Sequence, residues 1–438
     1  PQELPRASAL SARADTNTRR YCPLCKMDIM TGFGHQPWII DPFNDPWKIK
    51  CPNCGSRFPS NDFEKFYLSG IDENGRWNIR LAKEKGGEYL KNELYPDLGD
   101  HAFTDDGFGY YSGKTLVGNV PEIKPFIAYY NYFGLWAGTG CLMEAIKSLS
   151  DAYIYTGDIR YGRTGAILLD LIADVYPDMD LEPYSVLPGS DGVAKRGKVL
   201  GRIADNSLIY ILAPGYDKLY TAFEDSKVVS FLHEKAIKYR MKNPKSCPSA
   251  IRMNIDNNIL RETYTAVKDG RINGNWGYYQ LSLAEAAVVL DGSPETEEMI
   301  EWLFKSGTSG IREVTGGNIY AQLLDTICRD GLGNEASFSY NSTWISTLLN
   351  IAMILKDYDR YPKANLFRHP KIKRMIYSAC DHINIGRTVP NIGDTTTAFS
   401  MYLMPATKSA LIEAWCAGIW DEELAQTLYR LNNRTVEV

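Results

Sequence analysis

The sequence predicts a mainly α-helical protein, a ring or solenoid of antiparallel helix pairs, with a small metal-bound segment at its start. Three observations carry this. From about Glu122 onward, long amphipathic runs follow one another, separated by polar and aromatic loops. Residues 1–80 are instead rich in Pro, Gly, Asn and Trp and hold two CxxC pairs. No exact internal repeat is visible, which argues against a tetratricopeptide-type array. With 438 residues and 44% hydrophobic content, the chain exceeds the usual single-domain size and can bury a large core.

The first element is the cysteine pair of pairs. Cys22 and Cys25 lie in CPLC, and Cys51 and Cys54 lie in CPNC, with 25 residues between. Two such knuckles put four thiolates at the corners of a tetrahedron, the geometry of a closed structural zinc site. Two disulfides are the competing reading, and a redox dithiol would need one pair alone. Four protein ligands leave no open position, so the expected Zn2+ holds structure and does no chemistry. Around it, WIIDPFNDPWKIKCPNC and RFPSNDF read as turns with short strands. The other cysteines, Cys141, Cys247, Cys328, Cys380 and Cys416, stand in apolar surroundings and are expected as buried thiols.

Helical segments follow. LWAGTGCLMEAIKSLSDAYIYTG, TGAILLDLIADVY, DNSLIYILAPGYDKLY, KVVSFLHEKAIKYRM, YYQLSLAEAAVVLDG, TEEMIEWLFKSG, STLLNIAMILKDY and SALIEAWCAGIWDEELAQTLYRL all space apolar residues for one face. Many end at Gly or meet Pro soon after. Paired helices would put every second loop on one rim, and the polar motifs fall in such loops.

The richest loop is DGLGNEASFSYNSTW, Asp330 to Trp344, set between the helical runs AQLLDTIC and TWISTLLNIAMIL. Gly331 and Gly333 break the first run, and Ser339, Asn341 or Ser342 is expected to cap the second. Tyr340 then sits at the mouth of a helix, whose positive end favours a phenolate. The alternative is a packed tyrosine, one of 28. In NGNWGYYQLSL, Asn275 and Trp276 open a helix. The Asn amide suits a carboxylate and the Trp face suits a sugar, although Asn275 could equally be a cap. In GRIADNSLIY, Arg202 and Asn206 lie one turn apart, and Arg202 either grips an anion or forms a salt bridge. In AYYNYFGLWAG, Asn131, Tyr132 and Trp136 belong to an aromatic cluster that lines a groove or fills a core. Of the five histidines, His101 in DHAFTDDGFGYY stands in a polar loop and is a candidate site residue.

Charge and hydropathy narrow the partners. A net charge of −5 argues against a general nucleic-acid binder, while a locally basic cleft for an anionic substrate stays open. No apolar run reaches the length of a membrane span. No signal peptide is visible, and the chain begins at Pro1 as though processed or cut from something longer.

Together these residues resemble the heparinase II/III-like polysaccharide lyases. The likeness rests on Asn275-Trp276, the DG-x-x-x-E-x-S-x-x-Y pattern from Asp330 to Tyr340, GRI at Gly201–Ile203, and VPNIGDT at Val389–Thr395. The CPLC…CPNC…FPSNDF run is similar to the extension of a bacterial subset with broad glycosaminoglycan and alginate specificity. The resemblance implies an (α/α) toroid, an incomplete barrel of helix pairs over 81–438, after the zinc-knuckle segment 1–80. It also implies a C-terminal antiparallel β-sandwich, which this chain lacks and which is expected beyond 438. The implied activity is β-elimination in hyaluronan, chondroitin, heparan or alginate, giving 4,5-unsaturated uronate ends. Asn275 matches the carboxylate-neutralising Asn and Tyr340 the catalytic Tyr. Arg202, Asn206, Trp276, Glu335, Asn131, Tyr132 and Trp136 are the expected substrate contacts. A secreted or periplasmic location is implied as well. Relatives often place His after both key residues, whereas here Trp276 and Asn341 follow; His101 is the candidate catalytic histidine, and if no His contributes, Tyr340 serves as both base and acid. Two other classes fit parts of the pattern: an inverting glycoside hydrolase using Asp330 with Glu335, and a non-catalytic glycan-binding protein.

Overall fold

The structure is a computed structural model that describes residues 22, 24–33, 38–41, 43–45, 47–58, 61–73, 79–90, 109–116, 120–125, 135–136, 141–180, 197–382, 392–393 and 405–436. It is mainly helical and divides into two compact units, Pro1–Glu262 and Thr263–Val438. No described helix is long and apolar enough to cross a membrane.

The first unit opens with α1 (Ile29–Phe33) and a small antiparallel sheet of β1 (Ile39–Ile40), β2 (Ile49–Lys50) and β3 (Arg57–Phe58). Ile40 pairs with Ile49, and Ile49 with Phe58. Alternation turns Ile49 and Phe58 inward, where Phe58 meets Trp38 edge-on at 5.8 Å. Helices α2 (Phe63–Ser69) and α3 (Ile79–Gly86) come next. A hairpin of β4 (Gly109–Leu116) and β5 (Val120–Pro125) then interrupts a stretch in which only loops and the first helices were expected. Tyr, Thr, Val and Ile favour an extended chain there, and the irregular register between Tyr111 and Thr115 obscures a clean two-residue period.

The helical part of this unit is α4 (Leu142–Thr156), α5 (Ile159–Val175), α6 (Asn206–Leu219), α7 (Ser226–Lys238) and α8 (Pro248–Ile255). Gly157, at φ 67, ends α4 with its N–H on the Tyr153 carbonyl. Asp158 then starts α5 by accepting from the Arg160 N–H. Gly162 and Gly165 let α5 approach closely, because a Cβ at either would press on Ala222 or Leu219. A cluster of charges lies inside the unit. The buried Lys245 ammonium pairs with Asp170 and, at 2.6 Å, with Asp174; Lys235 reaches Asp174 at 2.7 Å. Asn254 donates to both carboxylates at 2.9 Å. Burial pushes the Asp170 carboxyl above its usual range, partly offset by Lys245. After α8 the helix widens into a π turn, Asp256–Arg261, before α9 (Glu262–Lys268).

The second unit contains α10 (Tyr278–Leu290), α11 (Glu295–Phe304), α12 (Ile319–Asp325), α13 (Phe338–Leu355), α14 (Pro370–Asp381), α15 (Pro405–Cys416) and α16 (Glu422–Leu431). Helix α10 is buried on nearly every side, from Tyr279 to Ala287, as befits a central helix. It packs on α11 and α13, and α13 also meets α14 and α15. Buried Gln280 fixes the start of α10: it accepts from the Gly277 N–H and donates to the Gly317 carbonyl and to Gln322, each at 3.0 Å.

Candidate functional site

The N-terminal knuckles form the first candidate centre. The sulfurs of Cys22, Cys25, Cys51 and Cys54 all lie within 4.8 Å of one another. Both knuckles fold alike. The Lys26 N–H returns to the Cys22 carbonyl and the Gly55 N–H to the Cys51 carbonyl, each at 3.0 Å. Lys26 and Gly55 take left-handed φ values of 59 and 74, which turn each loop back on itself. The sulfurs are 3.7 Å apart for Cys22–Cys54 and 3.9 Å for Cys25–Cys51. A tetrahedron with metal–sulfur bonds of about 2.3 Å has edges of about 3.8 Å, whereas a disulfide needs about 2.05 Å. All four cysteines are free, so the disulfide alternative falls and the donor set fits a metal ion. Burial pushes the Cys22 and Cys51 thiols up. The Asn53 amide lowers Cys25, and the Ser56 hydroxyl lowers Cys54 to about 6.

The remaining cysteines correct an expectation. Cys141 is buried and Cys380 partly so, but Cys247, Cys328 and Cys416 are exposed. Cys247 precedes Pro248 as the cap residue of α8, Cys328 sits in the turn after α12, and Cys416 ends α15. Apolar neighbours in sequence do not bury a residue that stands at an element's end.

The second candidate centre is in the second unit, where the starts of α10 and α13 lie side by side. Asn275 and Trp276 precede α10 rather than opening it. The cap is Gly277, at φ 95, and a Cβ there would collide with the Thr347 hydroxyl on α13. Asn275 is therefore not the capping side chain. Its carbonyl accepts from the Tyr278 N–H at 3.1 Å, while its half-buried amide has no hydrogen-bond partner among the described residues. Trp276 meets Trp344 edge-on, centroids 5.2 Å apart.

The loop before α13 is equally tight. Ile327 bridges Gly333, the Cys328 N–H donates to the Leu332 carbonyl at 2.7 Å, and Asp330 accepts from the Leu332 N–H. The helix begins at Phe338 with Ser337 in the cap position, two to five residues before the expected caps Ser339, Asn341 and Ser342. Asn341 instead donates back to the carbonyls of Glu335, at 2.7 Å, and Ser337, at 3.1 Å. Tyr340 lies in the first turn, half-buried, and its hydroxyl has no hydrogen-bond partner among the described residues. Beside it stands Tyr278, whose phenol is raised mainly by burial, eased by a hydrogen bond with Thr343, and raised further by Tyr340. The motifs of Asn275 and Tyr340 are thus joined through Trp276–Trp344 and Tyr278–Thr343. Glu335 is exposed on the same loop.

Other expected site residues fall elsewhere. In the first unit, the Asp205 carboxylate collects the N–H groups of Lys198, Val199 and Leu200 at 2.6, 3.0 and 2.7 Å. Burial still raises it to about 6. This turn places Arg202 and Asn206 inside rather than at the surface, and the Asn206 amide donates to the Ile203 carbonyl at 3.0 Å. Trp136 is fully buried, so it fills core and does not line a groove. His101, Asn131 and Tyr132 lie outside the described residues, as does most of VPNIGDT. Sequence reasoning missed Tyr278, Thr343 and Trp344 as neighbours of the key pair; the aromatic run WGYYQ was the available signal.

No family model matches the chain, and no curated protein and no solved structure matches it.

Proposed function

We propose that the chain is a polysaccharide lyase of the heparinase II/III-like kind, with its helices in an (α/α) toroid, acting on uronic-acid polysaccharides. The observation that carries the reading is a pair of unspent polar groups. The Asn275 amide and the Tyr340 hydroxyl are half-buried, lack hydrogen-bond partners among the described residues, and belong to adjoining helix starts. Both groups are partly exposed, so a ligand can take the hydrogen bonds that water otherwise makes to them.

In this reading the Asn275 amide donates to the uronate carboxylate. Drawing charge onto that carboxylate makes the C5 proton more acidic and stabilises the enolate-like state. Tyr340, in the first turn of α13, acts as the base that removes the C5 proton. The electron pair forms the C4–C5 double bond as the C4–oxygen bond breaks, and the same phenol returns its proton to the leaving oxygen. One group working on one face gives syn elimination. Trp276 offers its face to the sugar and Glu335 a hydrogen-bond acceptor at the loop edge. The four thiolates suit zinc, held as a closed structural site.

The test is digestion of purified hyaluronan, chondroitin sulfate, heparan sulfate and alginate, following reducing ends and ultraviolet absorbance together. New ends that absorb as 4,5-unsaturated uronate support the reading. New ends without that absorbance would establish hydrolysis instead.

A further inference from the structure

We propose that the exposed cations Arg368, Lys373 and Arg374 on and before α14, with Arg329 of the adjoining loop, bind the anionic groups of a sulfated polysaccharide outside the reaction centre. The inference rests on the lyase reading for its substrate class and not for its evidence. From Arg360 to Cys380 the chain carries Arg360, Lys363, Arg368, Lys371, Lys373 and Arg374 and no acidic residue, in a protein of net charge −5. A general surplus of positive charge does not explain that run.

Two of the six cations are committed to structure. Lys371 closes the end of α12 by donating to the carbonyls of Leu323 at 2.6 Å, Leu324 at 3.1 Å and Ile327 at 2.6 Å. Arg360 pairs with Asp291 at 2.6 Å and Glu297 at 2.8 Å. Lys363, Arg368, Lys373 and Arg374 are exposed and have no carboxylate partner among the described residues, and Arg329 is the same. The Lys373 ammonium lies 5.5 Å from the centre of the Tyr377 ring, which orients it without neutralising it.

Position gives the strip its meaning. Gly331, second residue of the loop that leads to Tyr340, seats directly on the Arg374 carbonyl, and its φ of 93 admits no side chain there. The Lys371 bonds fix α14 against the segment that continues into Arg329. The strip therefore borders the loop that leads to Tyr340. An exposed cation contributes little alone. Several in a row that face a polyanion release its counterions together, and the gain is read as salt dependence.

The test uses the full chain and the triple variant Arg368→Gln/Lys373→Gln/Arg374→Gln, with the single reversal Lys373→Glu as a second variant. Both are eluted by salt gradient from immobilised chondroitin sulfate, hyaluronan and single-stranded DNA, with thermal midpoints measured beside them. The proposal expects elution from chondroitin sulfate at clearly lower salt for both variants, and a salt slope reduced by about one unit or more in the triple variant. It expects a smaller shift on unsulfated hyaluronan and unchanged midpoints. Unchanged elution from chondroitin sulfate would overturn it, and an equal shift on DNA would overturn the assignment to polysaccharide. Earlier elution of the variants from a protein that forms no unsaturated product would leave the strip standing and remove the lyase reading.

Discussion

At the scale of single residues, Tyr340 should be dispensable for folding and indispensable for turnover. Its hydroxyl makes no hydrogen bond among the described residues, so Tyr340→Phe removes no internal bond. The expected outcome is a thermal midpoint unchanged within error and a loss of product formation of about 10²–10⁴-fold, the range for a positioned acid–base group. A lowered midpoint with intact turnover would make it a packing residue. The types of residue were legible in the sequence: an amide near one helix start, a phenol at another, glycines between. The caps were not. Gly277 rather than Asn275 caps α10 because α13 brings Thr347 against it, and Asn341 ties back to Glu335 and Ser337 because the loop closes on itself. Those choices depend on partners remote in sequence.

At the scale of elements, the amphipathic period revealed nearly every long helix, and the β4–β5 hairpin escaped because its register is irregular. The helix ends carry a pH effect. His369 starts α14 by accepting the Lys371 N–H on Nδ1, which requires a neutral ring on that nitrogen. Burial, then Lys371, lowers its pKa below the ordinary value. A depressed folded-state value means stability is present above the ordinary pKa of about 6.5 and is lost as pH falls through the folded one. His369→Asn keeps an acceptor at the cap without titrating. It should flatten that part of the acid limb of the thermal midpoint, and an unchanged pH profile would refute the role. In the first unit, the Lys245 ammonium faces two carboxylates in the interior. Lys245→Met leaves Asp170 and Asp174 with Lys235 alone, and should cost about 3–5 kcal/mol in denaturant unfolding. No periodicity marks such a group, because Lys245 reads in sequence as an ordinary loop lysine.

At the scale of the whole molecule, the metal site and the proposed reaction centre belong to different compact units. Their chemistry should be separable. Metal analysis is expected to find about one zinc per chain. Chelation should lower the thermal midpoint of the first unit before it affects turnover. Rapid loss of turnover in protein that is still fully folded would give the metal a part in the chemical step. The CxxC spacing made this site readable, since four ligands on two short knuckles need little from the rest of the fold. Arg202, Asn206 and Trp136 were read as substrate contacts and lie buried, because residue type alone does not say which side of a turn faces solvent.

The central claim is that Asn275 and Tyr340 act on one hexuronate. A double-mutant cycle of Asn275→Ala and Tyr340→Phe, read as the rate of 4,5-unsaturated product, tests it most directly. Each single change should cost at least about 10²-fold, and the double variant should lose little more than the worse of the two. Losses that simply multiply, or near-normal rates in Tyr340→Phe, would contradict the account.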